Sequence, residues 1–461
     1  MLTRRSILRL FAAAPALACS GDSTEPGTTP SGPDDPYAVP ESVERFPRTP
    51  MAGDMTKTRA VLTFFVADDS AVTLQVWTDE GVVVDQSMAP NGDGFHKVMI
   101  DDLVPGTTYA YTVFGPDFAD RGLIGQFRTA PEDDALVPVR IALMACIGQG
   151  TVLPDYVRTP SMENPTVEPF QWEIYTHASD HDLDALVHLG DQGYMDNVWK
   201  EENGTIEAYL EGWGAYHGGG YRDLYPLAGL YVTRDDHEAV DNGQFDPWNT
   251  TPEEDQKLDQ ALQAWVKVMP IDTTEVESIW RSFRWGATLE LVLLDCRYEL
   301  TDEVLMTEAQ LAFLLERIEQ SDARFVCVAT PKPFADIASS ATLFADNADR
   351  WDGFPDQRQR VLDAIDARGG GVLFVTGDIH MTYLGRATTG GEAPSDATWE
   401  VCTTSGNINP LASSLDDEQF VFVEALPNLP VLTFDPDADS VHVAFYAKDG
   451  SLAYEQTLTD V

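Results

Sequence analysis

The sequence predicts a small all-β unit followed by a larger α/β (α+β) body whose mixed β-sheets are covered on both faces. Three observations predict it. Between residues 57 and 129 apolar residues alternate with polar ones, turn clusters such as 90–94 (PNGDG) separate the runs, and no helical stretch intervenes. After 130–134 (APEDD) strands alternate with helical patterns. The strands of this second part, including 289–294 and 324–329, are apolar at nearly every residue, as strands covered on both sides are. At 461 residues, 43% hydrophobic and 10% aromatic, the chain can fill cores for two or three domains.

The amino terminus reads as an address. Arg4 and Arg5 precede residues 8–18 (LRLFAAAPALA), an apolar segment too short to span a bilayer. The paired arginines resemble the twin-arginine export signal, and Ala16-Leu17-Ala18-Cys19 resembles a lipobox with Ala at its first position. Residues 1–18 are therefore expected to be a signal, with lipid attachment at Cys19 and simple cleavage as the alternative. Residues 19–52 are expected to be a flexible tether: 20–40 is rich in Ser, Thr, Gly, Pro and Asp and cannot form a core. An extracytoplasmic location, periplasmic or on the cell surface, follows, with the membrane reached only through that lipid.

The β unit is placed at 53–131. Val72, Leu74 and Val76 alternate with polar residues, as do Tyr109, Tyr111 and Val113. Residues 103–109 (LVPGTTY) resemble the tyrosine corner of fibronectin type III domains, so an immunoglobulin-like β-sandwich is expected. The body is placed at 136–461. Thr251-Pro252-Glu253-Glu254 predicts an N-cap, a first-turn proline and a capping glutamate for a helix running towards Pro270. Thr307 and Gln310 predict a second capping box, with Leu311, Leu314, Leu315 and Ile318 on one face. Asp356 is expected to open a third helix, closed by Gly369. From Pro430 the pattern returns to β.

Four strand-like runs end on residues that bind metals. Residues 139–146 (VRIALMAC) end on a thiol, and 186–194 (LVHLGDQGY) on Asp191 and Tyr194. Residues 227–238 (LAGLYVTRDDHE) end on three carboxylates around a histidine, Asp235, Asp236, His237 and Glu238, and 371–380 (GVLFVTGDIH) on Asp378 and His380. In open α/β sheets sites gather at the carboxyl ends of strands. A carboxylate and a phenol three residues apart can approach one hard trivalent cation, which alone would make the phenolate a good ligand. Unpaired carboxylates at a buried strand end would be costly, and cations remove that cost. For Cys146 an inert core thiol is the plainer alternative.

The net charge of −47 argues against a nucleic-acid or anionic-membrane surface, because those need Lys and Arg contacts to phosphate. An anionic substrate would need bound cations. The five cysteines form no CxxC pair, so neither a zinc knuckle nor a disulfide scaffold is indicated.

In order and spacing these motifs resemble the metallophosphoesterase superfamily and, within it, the alkaline phosphatase D (PhoD-like) family. Residues 293–297 (LLDCR) and 349–358 (DRWDGFPDQR) support this, and the likeness spans roughly 57–405. The resemblance implies a metallophosphoesterase-type sandwich holding Fe3+ and Ca2+. The second metal stays open among calcium, magnesium, manganese and zinc. By position, Cys146, Asp191 and Tyr194 would hold iron together with Asp378 or His380. Asp191 would bridge to the second metal, with Asp235 and Asp236 beside it. His237 would face the phosphoryl group, either donating to its oxygen or protonating the leaving group. Arg234, where the family usually has an aromatic, joins Arg297 and Arg358 as a candidate phosphate clamp. The implied activity is hydrolysis of small phosphate mono- and/or diesters by a metal-bound hydroxide, in a monomer. The alternatives are a non-enzymatic surface lipoprotein on a degenerate fold, and a metal-dependent hydrolase of a phospholipid, phosphotriester or lactone.

Overall fold

The structure, a computed structural model, describes residues 39–148, 169–201, 204–241, 251–337, 350–388, 391–406, 408, 415 and 418–461. The expected signal, Cys19 and the first half of the tether lie outside the described residues. Among those described, no helix is long and apolar enough to cross a membrane.

The first seven strands are β1 (Met51–Gly53), β2 (Ala60–Phe65), β3 (Val72–Thr78), β4 (Gly81–Met88), β5 (Phe95–Ile100), β6 (Thr108–Phe114) and β7 (Gly125–Arg128). They form two facing sheets, β4-β3-β6-β7 and β1-β2-β5, because alternation puts Leu62, Phe64, Leu74, Val76, Tyr109 and Tyr111 into one shared core. The Tyr109 hydroxyl accepts from the Val104 N–H at 2.8 Å, the tie expected of the corner.

The body continues with β8 (Val139–Met144), α1 (Pro169–Thr176), β9 (Ala185–His188), α2 (Asp196–Glu201), α3 (Ile206–Gly218), α4 (Tyr221–Leu224) and β10 (Gly229–Val232). Next come α5 (Pro252–Val268), β11 (Arg281–Trp285), β12 (Leu289–Leu293), α6 (Glu308–Gln320), β13 (Phe325–Ala329) and α7 (Pro355–Arg368). It closes with β14 (Val372–Thr376), β15 (Thr382–Arg386), β16 (Trp399–Cys402), β17 (Phe420–Glu424), β18 (Asn428–Asp435), β19 (Ser440–Ala447) and β20 (Leu452–Leu458).

These strands make two mixed sheets. One has nine strands in the order β20-β19-β18-β8-β9-β10-β1-β2-β5, and the other seven, β11-β12-β13-β14-β16-β15-β17. Ile141, Leu143 and Val187 meet Leu291, Leu293 and Val375 between the sheets. The alternate residues point outward. Met144, Leu186 and Leu230 pack on Trp213 of α3 and Trp265 of α5, while Val292, Val326 and Phe374 pack on Leu311 and Leu314 of α6 and Ile365 of α7. Two helical layers thus enclose two sheets, which is why the strands are apolar on both faces.

The sheet crosses the boundary expected near residue 131. Gly53 of β1 pairs in parallel with Leu230 of β10, so β1, β2 and β5 extend the body's own sheet. Only glycine permits this approach: a Cβ at residue 53 would stand 2.4 Å from the Pro270 carbonyl oxygen and 2.6 Å from that of Leu230. Beside it, the buried Asp54 carboxylate takes a forked ion pair from Arg281 at 2.8–3.0 Å.

The helix starts differ in detail from those expected. Thr251 and Glu254 do form the reciprocal box that opens α5. Thr307 caps α6, but the Gln310 amide turns away to the Asp295 carbonyl and Glu299, so the box is not closed. Helix α7 begins at Pro355, with Asp356 in its first turn rather than at its cap; Gly369, at φ 89°, ends it.

Replacing Asp54 with Asn should leave the Arg281 guanidinium without its counter-charge and cost about 3 kcal/mol in urea unfolding. A loss below about 1 kcal/mol would mean that water, not Asp54, satisfies Arg281.

Candidate metal centre

Strands β8, β9 and β10 are adjacent and parallel, so their carboxyl ends open on one edge. Strand β14 belongs to the other sheet, and its end is pressed against that of β8: a Cβ on Gly377 would lie 2.7 Å from the Cβ of Ala145. Four chain exits therefore meet at one place. There Cys146, Asp191, Asp378 and His380 adopt φ of 49°, 55°, 63° and 58°. Left-handed backbone at a residue with a Cβ costs about 1 kcal/mol or more, and it persists where surrounding structure over-determines it. Here it turns each of the four side chains into a common space.

Ligand atoms of Cys146, Asp191 and His380 lie within 4.8 Å of one another, as do those of Asp191, Asp236 and His237 and those of Asp235, Asp236 and Asp378. The groups share Asp191 and Asp236, so they form one connected cluster. Tyr194 joins it: its hydroxyl lies 3.1 Å from Asp191 Oδ2 and 3.3 Å from His380 Nε2. Its ring stacks on that of His237 at 3.8 Å between centroids.

Backbone contacts hold the turns. The Glu238 carboxylate accepts from the N–H groups of Asp191 (3.2 Å), Gln192 (2.6 Å) and Asp235 (2.6 Å), tying the β9 and β10 ends together. Gln192, under Trp265 Nε1 at 2.7 Å, donates to the Thr233 carbonyl. His237 Nδ1 is bound to Asp196 Oδ2 at 2.9 Å, which fixes the ring.

The electrostatics are those of a buried anionic cluster. Burial pushes the Asp191 carboxyl, the Cys146 thiol and the Tyr194 phenol well above their ordinary values; neighbouring carboxylates add to it, and at Asp191 His237 opposes it. Burial alone would lower His237, but Asp196, Asp236 and Asp191 outweigh it and raise the imidazole well above its usual value. His380 moves the other way, to about 3, through burial and then His237. Arg297 supplies positive charge to one side, ion-paired with Asp235 and 3.4 Å from both Asp236 and Asp378. Lys332, fully buried, stands 3.7 Å from Asp378.

This donor set fits hard and intermediate cations. Carboxylates, a thiol, a phenol and imidazoles converge, and Asp235 Oδ2 is buried without a hydrogen-bond partner. The structure therefore brings together Cys146, Asp191, Tyr194, Asp235, Asp236, His237, Asp378 and His380. It does not bring Arg234 there. Arg234 is fully buried on the far side of its turn, bonded to Asp295 and the Val276 carbonyl at 2.6 Å each, with Trp265 and Tyr298 stacked against it. Arg358 is likewise engaged with the Phe334 and Ala387 carbonyls. Neither is a phosphate clamp. Asp196 and Lys332 were not anticipated, and Glu238, expected as one of three carboxylates at its strand end, is turned to backbone N–H groups. Lys332 had a usable signal, since it follows the predicted strand 324–329 by three residues, on the same rule that located the other site residues.

Two sheets between helical layers, with a buried cluster of carboxylate, thiol, phenol and imidazole at the strand ends, define a metallophosphoesterase-like fold. The sequence profile described as PhoD-like phosphatase matches residues 166–435, and the chain belongs to that family. It is 25% identical over 339 residues to alkaline phosphatase D of Bacillus subtilis (strain 168), covering 62% of this chain and 54% of that one. The chain thus spans about half the length of this curated relative. A solved structure of PhoD superposes with a TM-score of 0.72 at 19% identity, over 91% of this chain and 90% of the other. Purple acid phosphatase PPD1 from yellow lupin (Lupinus luteus) seeds gives 0.62 at 13% identity, over 89% and 74%. These two likenesses are of fold.

Cation binding should dominate the stability of this edge. A cation at a thousand times its dissociation constant should stabilise the wild type by about 4 kcal/mol. Asp191→Asn should remove most of that gain, yet should not lower the melting temperature of the chelated protein, since it deletes a buried charge. Thermal unfolding with and without chelator checks both halves, and a wild type indifferent to chelation would refute the assignment.

Proposed function

We propose that the chain is a metal-dependent phosphatase that hydrolyses small phosphate mono- or diesters. The observation that carries this reading is the connected cluster sharing Asp191 and Asp236, which can hold more than one cation at a single edge. Cys146, Asp191, Tyr194 and His380 would hold one cation, an Fe3+ given the thiolate and phenolate pair. Asp235, Asp236 and Asp378, with ligand atoms within 4.8 Å of one another, would hold a second, for which oxygen donors suit Ca2+. When bound, such cations neutralise the ester's charge and lower the pKa of water enough to make a nucleophile.

The chain's own groups do the rest. Asp196 occupies His237 Nδ1, leaving Nε2 to donate a proton to the phosphoryl oxygen or the leaving group. The Asp196 carboxylate beside Nδ1 favours the protonated form of the ring. Arg297 and Lys332 hold Asp235 and Asp378 in position and temper the field that would repel an anionic ester. Glu238 keeps the Asp191 and Asp235 turns in register. No protein nucleophile is required.

Residues 53–131 we read as a fibronectin type III-like unit that buttresses the body. The Arg4-Arg5 pair and Cys19 support twin-arginine export and lipid anchoring outside the cytoplasm, and the net charge of −47 supports a substrate other than nucleic acid.

Asp191→Asn should reduce turnover of an aryl phosphate ester to background, and full turnover in the folded variant would end this reading. His237→Gln should cost about 10²–10⁴-fold in kcat. The metal-loaded wild type should show a visible phenolate-to-iron absorption that Tyr194→Phe lacks. A panel of phosphate mono-, di- and triesters, a phospholipid and a lactone should give turnover on mono- or diesters; activity confined to the others would redirect the assignment.

A further inference from the structure

Positive charge from lysine and arginine reaches the acid cluster from one sheet. Strands β12, β13 and β14 lie adjacent and parallel in the seven-stranded sheet, so their carboxyl ends emerge side by side. The chain leaving them carries Arg297, Lys332 and Asp378 in that order. Arg297 is 1% exposed and Lys332 0%. Backbone bonds pin the Lys332 turn to the Asp378 turn: the Thr330 N–H donates to the Val375 carbonyl at 3.1 Å, and the Gly377 N–H to the Pro331 carbonyl at 2.8 Å. Lys332 Nζ stands 3.7 Å from Asp378 Oδ2, and Arg297 reaches Asp235, Asp236 and Asp378.

The two cation positions of the centre therefore differ. Asp235, Asp236 and Asp378 face Arg297 and Lys332, so three carboxylates against two fixed cations leave one negative charge. Among the described residues Asp191 is ion-paired with neither Lys nor Arg, and its neighbours are a thiol, a phenol and imidazoles. An oxygen site holds Ca2+ according to the ligand charge it carries. A fixed cation a few ångströms away repels a divalent ion that shares its carboxylates. Lys332 is fully enclosed, so water and salt screen that repulsion little.

Resting on the reading of this cluster as a two-cation centre, we propose that Lys332 makes the second position weak and exchangeable. The Cys146 side keeps its cation, while the Asp235–Asp236–Asp378 side loads and empties with the free concentration of divalent ions. Lys332 thus acts as a fixed competitor built into the fold, and the fraction of fully loaded protein follows the surrounding medium by mass action.

The test is calorimetric titration of Ca2+ into the iron-loaded protein, first freed of divalent ions, beside Lys332→Met, which keeps most of the side chain's length without its charge. The wild type should bind with a dissociation constant weaker than about 10 µM. Lys332→Met should bind at least about tenfold tighter, with its iron content unchanged. Lys332→Arg keeps the charge and should stay closer to wild type than to Lys332→Met. Wild-type binding tighter than about 10 µM, or a gain under about tenfold in Lys332→Met, overturns the proposal and leaves the iron position intact. Equal tightening in Lys332→Met and Lys332→Arg also overturns it, since packing rather than charge would then be responsible. Should Lys332→Met not fold, the wild type decides: after gel filtration into calcium-free buffer it should keep its iron and lose its calcium, and calcium retained beside the iron overturns the inference. A wild type that takes up neither iron nor calcium refutes the two-cation reading itself.

Discussion

Buried negative charge gathered at one edge of a sheet is the constraint on which the rest of this structure depends. Asp191, Asp235 and Asp236 are almost wholly removed from solvent, and Cys146 and Tyr194 lie beside them. Carboxylates in such a place are tolerated only when positive charge and hydrogen bonds meet them. The chain supplies some of both: Arg297 against Asp235, Lys332 against Asp378, and backbone N–H groups oriented by Glu238. At the Cys146–Asp191–Tyr194 side His237 stands beside the cluster, and a bound cation would supply the rest. A surface as acidic as this one leaves such charge as the means by which an anionic ester could be attracted.

The architecture serves that edge. Parallel order in β8, β9 and β10 points three chain exits the same way, and face-to-face packing brings the β14 exit to meet them. Four residues there hold left-handed backbone, strain that the packed sheets sustain. The amino-terminal strands add stiffness, because β1, β2 and β5 extend the same nine-stranded sheet, locked by the Asp54–Arg281 pair. What reads as a separate module in sequence is continuous in hydrogen bonding.

Arginine shows where local reading fails. Arg234, Arg297 and Arg358 all lie near the relevant motifs, yet only Arg297 reaches the acid cluster. An arginine side chain is long and mobile, and its partner is chosen by whatever carboxylate or carbonyl the tertiary fold places within reach. Asp295 captures Arg234, and Asp235 captures Arg297. Nothing in the spacing of 234–238 or 295–297 distinguishes those outcomes.

Sequence alone determined the strands, their double-sided burial, the helix that Thr251 opens, and the residues at each strand end. Those properties rest on periodicity and capping, which act over a few residues. Tertiary structure alone decided that the four strand ends share one space, and that Asp196 and Lys332 stand beside them. It also joined the β unit to the body's sheet through Gly53. Contacts between residues far apart in the chain depend on strand order and sheet packing, and periodicity carries no record of either.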